Sequence, residues 1–108
     1  MDAVNDFNFE DIIADQTLTI IDFSATWCMP YRMLTPILEE VADAKPDVNI
    51  YNLDIDENEE IAKRYRIFSV PTLVAFKEGQ MIDTLVGLNS FDEVMDFVER
   101  CENAELPQ

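Results

Sequence analysis

Histidine is absent from this chain, and cysteine occurs only twice. The first absence removes His-based triads, a His general base and every imidazole-ligated metal site. The two cysteines, Cys28 and Cys101, stand far apart, with no second Cys three residues from either. One chain therefore cannot supply the four thiolates of a structural zinc or iron–sulfur site, and a metal centre would need a second subunit. Basic residues are scarce as well: 7 Lys plus Arg stand against 23 Asp plus Glu, for a formal net charge of −16. Such a surface repels phosphate backbones and anionic lipid headgroups, so nucleic acid and membrane surfaces are not expected as partners. The one basic cluster, Lys63, Arg64 and Arg66, reads as a solvated helix end. No repeat, low-complexity segment or Pro/Gly/Ser-rich linker divides the chain. The start, Met1 to Glu10, carries Asp2, Asp6 and Glu10 with no basic n-region and no long apolar run. The expectation is a cytoplasmic protein without a secretory signal or membrane span.

Against these absences, 108 residues with 48% apolar and 10% aromatic side chains are enough to build one core despite the charge. A single domain over residues 1–108 is expected, with a frayed tail from about 103 to 108. Phe9, Ile12 and Ile13 fit one face of a short helix, and Leu18 to Phe23 has the length and β-rich content of a buried strand. From about Pro30 to Ala44, Met33, Leu34, Ile37, Leu38 and Val41 recur at helical spacing, with a kink expected at Pro36. Val48 to Ile55 reads as a second strand, and Asp56 as the start of a helix with Glu59 as its capping-box partner. Thr72 to Phe76 and Met81 to Val86 form a hairpin across the turn Glu78-Gly79. Ser90 and Glu93 cap a last helix whose Phe91, Val94, Val98 and Cys101 make an apolar stripe. Strands joined through helices pair in parallel and the hairpin pairs antiparallel, so an α/β fold with a mixed sheet and helices on both faces follows.

That order, with the run Asp22-Phe23-Ser24-Ala25-Thr26-Trp27-Cys28-Met29-Pro30-Tyr31-Arg32, resembles the thioredoxin family over nearly the whole chain. Pro36 followed by Ile37-Leu38-Glu39-Glu40-Val41-Ala42, the segment Asp54-Ile55-Asp56, Val70-Pro71-Thr72 and Val86-Gly87 stand in the same register. The resemblance implies a thioredoxin fold, a central mixed sheet of four to five strands flanked by about four helices, and thiol–disulfide exchange through a Cys-x-x-Cys dithiol. Here Tyr31 replaces the second cysteine. In the family that thiol resolves the mixed disulfide formed by the first, so the ordinary dithiol cycle cannot close within this chain. Cys101 is not a substitute, because the family fold places it on the last helix against the sheet, as a small core residue.

The resemblance makes Cys28 the exposed nucleophile at the N-terminus of its helix, where unpaired N–H groups favour thiolate. Loss of the second thiol's hydrogen bond and the −16 charge oppose that, with Arg32 as the local cation able to offset them. Asp22 matches the family's buried proton relay, but Asn52 stands where the usual Lys partner would be. Asp22 is then a relic held neutral, a general acid/base reaching Cys28 through water, or a partner for the Tyr31 hydroxyl, with the relic reading preferred. Pro71 matches the family's cis-proline, which exposes backbone to an extended peptide. Trp27, Met29, Pro30, Tyr31, Phe68, Val70 and Leu88, with Gly87 beside them, are expected to gather around Cys28 as an apolar patch, Phe68 being in part core.

Three readings follow. In the first, Cys28 exchanges with a protein or small-thiol disulfide, and an external thiol such as glutathione resolves it. In the second, a redox-inactive module captures an extended peptide of a partner protein. In the third, a largely monomeric chain forms a Cys28-mediated dimer, disulfide-linked or bridging an iron–sulfur cluster; no other cofactor is implied. The acidity fits a basic partner or adaptation to high salt.

Overall fold

A computed structural model describes residues 1–106, the side chains of Pro30 and Tyr31 excepted. The described elements are β1 (Asp2–Ala3), α1 (Phe9–Ile13), β2 (Thr19–Ser24), α2 (Met29–Ala44), β3 (Asn49–Asp54), α3 (Glu59–Arg64), β4 (Thr72–Lys77), β5 (Gln80–Val86) and α4 (Phe91–Glu102). The strands form one sheet in the order β1-β3-β2-β4-β5. β1, β3 and β2 run parallel, while β4 is antiparallel to both β2 and β5. The mixed α/β sheet expected from the element order is therefore present. The two-residue edge strand β1 is not predicted by the sequence pattern, because Asp2 and Ala3 carry no apolar alternation and their strand character comes only from pairing with Tyr51 and Asn52.

All six residues of β2 are buried, as befits a central strand covered on both faces. Its alternate side chains divide the core. Ile20 joins Leu34, Leu38 and Val41 of α2 and Val94, Phe97, Val98 and Cys101 of α4 on one side. Ile21 and Phe23 join Phe9 and Ile13 of α1 and Ile61 of α3 on the other. Phe97, wholly buried, extends the apolar stripe expected on α4, and burying its ring contributes roughly 2–3 kcal/mol. Met33, by contrast, points away from the core that its helical spacing suggested and is exposed.

Pro36 sits inside α2 on its exposed face, where its missing N–H leaves one carbonyl of the ladder without a donor. The β4–β5 turn has φ of 52° at Glu78 and 80° at Gly79, the double positive φ of a two-residue hairpin turn. It is latched to the end of α1 by Glu78 N–H donating to Asp15 O and Gly79 N–H to Ile13 O. The ladder slips by one residue between Ala75 and Phe76, which face Asp83 and Met81.

The Ser90–Glu93 capping box is formed in full, and such a cap contributes about 1 kcal/mol. The expected Asp56–Glu59 box is not. Asp56 lies in a turn, where its N–H donates to the Asp54 carboxylate, and the helix begins at Glu59 after Asn58. Asn58 is buried by a different demand: its Oδ1 accepts from Asp6 N–H and its Nδ2 donates to Asp54 O, tying the β1–α1 loop to the end of β3. Of the basic cluster, Lys63 and Arg64 lie in the last turn of α3, where Arg64 pairs with Glu10. At the other end of the chain, Asn103 N–H donates to Glu99 O and Ala104 N–H to Cys101 O. Pro107 and Gln108 lie outside the described residues.

Candidate functional site

Cys28 is the N-cap of α2, extended at φ −85° and ψ 117°, so the helix starts immediately beyond its sulfur. β2 delivers it there through a short turn in which Cys28 N–H donates to Ala25 O. The thiol donates to Val70 O at 3.7 Å, and the Val70-Pro71 peptide bond is cis. Cys28 itself is only 5% accessible, which corrects the expectation of an exposed nucleophile. Exposure belongs to its neighbours: Trp27 is 66% and Met29 62% accessible. The Val70 carbonyl, carried to the sulfur by a segment 42 residues further along the chain, forms part of that cover.

The cis-proline segment is itself braced. Thr72 Oγ1 donates to Ser69 O, and Gly87 N–H, at the end of β5, donates to Pro71 O at 2.8 Å. Gly87 has φ +92°, a conformation that a side chain would strain. Leu88 beside it is exposed. Phe68, expected to be partly core, is 91% accessible. The ring lies outside the α1–α3 core cluster, and Ile67, its chain neighbour, packs there instead.

The Trp27 indole Nε1–H donates to Asp56 Oδ2 at 2.7 Å. The sequence marks Asp56 as a helix start and as part of the Asp54-Ile55-Asp56 segment, but not as a partner of Trp27; its place two residues beyond the end of β3 is the available signal. Arg32 is exposed and makes no ion pair among the described residues. Pro30 and Tyr31 belong to α2, but the expectations for their side chains, including a Tyr31 hydroxyl bond to Asp22, lie outside the described residues.

Asp22 is fully buried in β2, and neither carboxyl oxygen has a hydrogen-bond partner among the described residues. Burial alone pushes its pKa up to about 7, since the ionised form loses its hydration without a compensating charge. Cys101 is sealed into the α2–α4 side of the core, where burial, reinforced by the Asp83 carboxylate, raises its thiol to about 11. It is thereby a core residue, as its place on the apolar stripe implied. Among the described residues no three His, Cys, Asp or Glu side chains are grouped to hold a metal ion, and no helix is long and apolar enough to cross a membrane.

The geometry agrees with comparisons to known proteins. A family model described as Thioredoxin matches residues 1–100. Thioredoxin from Staphylococcus saprophyticus is 40% identical over 98 residues, covering 90% of this chain and 93% of that protein. Thioredoxin from Rickettsia bellii is 41% identical over 97 residues, covering 88% and 92%. The crystal structure of mitochondrial thioredoxin 3 from Saccharomyces cerevisiae, in its oxidized form, superposes with a TM-score of 0.85 at 33% identity over 93% of this chain and 94% of that one.

Proposed function

The chain belongs to the thioredoxin family, and from that premise we propose that it carries out thiol–disulfide exchange as a monothiol, through Cys28. The observation that carries the reading is the Cys28 thiol at the mouth of α2, 3.7 Å from the carbonyl that precedes cis-Pro71. An extended peptide laid along residues 70–71 brings its disulfide to that sulfur. The Cys28 thiolate attacks one sulfur of the substrate, forming a mixed disulfide and releasing the other substrate sulfur as thiolate. Tyr31 offers no second thiol, and Cys101 is enclosed in the core. An external thiolate such as glutathione then attacks the mixed disulfide, regenerates Cys28 and leaves as the new mixed disulfide with the substrate thiol. Atoms and electrons balance across the two exchanges with no cofactor. Asp22 is not needed for this cycle, because the proton it serves in dithiol relatives belongs to the missing thiol.

Turnover of a glutathionylated peptide in the presence of glutathione tests the reading. Activity should disappear in Cys28→Ser and persist in Cys101→Ala, and insulin reduction by a dithiol cycle should arise only in Tyr31→Cys. Equal turnover by the chain and by Cys28→Ser defeats it.

A second reading, a redox-inactive module that captures an extended peptide, is favoured by the exposed Trp27, Met29 and Phe68. It predicts peptide affinity that Cys28→Ser leaves intact, with no turnover in either protein.

A further inference from the structure

Phe68 lies two residues before Val70, whose carbonyl meets the Cys28 sulfur, and its ring is almost entirely in water. With Ile55, Ile67 and Glu59 it lines a shallow cavity of about 440 Å³ on the α3 side of the sheet. Glu59 and Lys63 also line an adjoining cavity, whose remaining walls are the carboxylates of Asp6, Asp56, Glu57 and Glu60. Asp56 closes the circuit by holding the indole of Trp27, the residue before Cys28. An apolar anchor, a bank of carboxylates with Lys63 as the only cation lining either cavity, and the reactive sulfur therefore follow one another on one face.

Leaving a phenylalanine ring exposed forgoes the stabilisation of burying it, which a partner able to cover it would recover. The charge around the ring selects that partner. A segment bearing carboxylates or phosphates is repelled by five acidic side chains, whereas one bearing Lys or Arg is steered in and held in register. We propose that this face docks a cationic, extended segment of a partner protein, with an apolar side chain on Phe68 and basic side chains on the carboxylates around the start of α3. The inference rests on the exchange reading only for what Cys28 does to the docked partner; docking itself is separate.

Two synthetic peptides test it, sharing one leucine and differing in whether lysines or glutamates flank it. Each is made with serine in place of cysteine and titrated into the Cys28→Ser protein, with the single tryptophan, Trp27, as the fluorescence reporter. At low ionic strength the lysine peptide should bind at least about tenfold tighter, a ratio falling towards about twofold near 0.5 M salt. The acidic bank is separated from the field of the whole chain by two triple variants that remove the same charge. Glu57→Gln/Glu59→Gln/Glu60→Gln should abolish most of the preference. Glu39→Gln/Glu40→Gln/Asp43→Asn, at exposed positions of α2 on the opposite side of the sheet, should keep it. Phe68→Ala should weaken the lysine peptide by about fivefold or more. Equal loss in both triple variants, or unchanged affinity in Phe68→Ala, overturns the proposal. The same peptides as glutathione mixed disulfides, given to the wild-type chain, separate the two ideas. Docking without turnover sinks the exchange reading alone, and turnover without charge preference sinks this one alone.

Discussion

Asp22 of β2 stands directly opposite Asn52 of β3 in the parallel register, so the buried carboxyl faces a neutral amide residue across the strands where a cation would stabilise its ionised form. A lysine there would supply charge; asparagine supplies at most a hydrogen bond. With no protein donor to either oxygen among the described residues, ionisation of Asp22 is opposed by desolvation alone, and the group titrates near 7.

That relationship fixes a pH window. Below about pH 4 Asp22 is protonated in both the folded and the unfolded chain. Between the ordinary carboxyl value of 3.8 and about 7 the unfolded chain ionises while the folded chain keeps its proton, so stability falls as pH rises. Above about 7 both forms are ionised and the slope vanishes. A shift of this size is worth roughly 4 kcal/mol in full. Urea melts of Asp22→Asn should therefore show a gain on the order of 2–4 kcal/mol at pH 8 that shrinks to nothing or reverses at pH 4. Exchange activity should stay within about threefold of the parent. A large loss of exchange would make Asp22 part of the reaction. The acids held below their usual range, Asp15 by Thr17 and Glu93 by Ser90, act in a separate window, since their contribution is lost as pH falls through it.

Cys101 should behave as a hydrophobe. Its burial and raised pKa predict that iodoacetamide at neutral pH leaves it unlabelled in the folded protein and labels it after denaturation. Cys101→Ser puts a hydroxyl into the apolar α2–α4 packing and should cost about 1–3 kcal/mol, measured by urea melts, without changing turnover. Mass spectrometry of the labelled native chain checks the first expectation, and modification of Cys101 at a rate typical of free thiols would refute it.

Salt should stabilise the fold. Seven cations face 23 acidic groups, and among the described residues the ion pairs engage only Lys45, Arg64 and Arg100. Most carboxylates therefore repel one another through solvent, and raising NaCl from about 0.02 to 0.5 M shortens the screening length from about 20 Å to about 4 Å. Unfolding free energy should rise by on the order of 1 kcal/mol. A fall on adding NaCl would mean that the few ion pairs outweigh the repulsion.

Much of this protein was written in local pattern. The alternation in residues 48–55, the helical spacing of Leu34, Leu38 and Val41, the Glu78-Gly79 turn and the Ser90–Glu93 box all depend on neighbours within a few residues, and all stand in the structure. The place of Cys28 at the head of α2 was legible only through the resemblance to the thioredoxin family. What sequence could not supply were properties that another part of the chain confers. β1 is a strand only because β3 pairs with it, and Asn58 is buried because Asp6 and Asp54 both use its amide. The Cys28 sulfur meets the Val70 carbonyl just before β4, and Glu59 of α3 and Asp56 of the turn before it stand beside Phe68 and Trp27, because the sheet and its loops bring them there. Periodicity reports which face of an element is apolar, but contacts across forty residues of sequence are settled only when that face finds its partner.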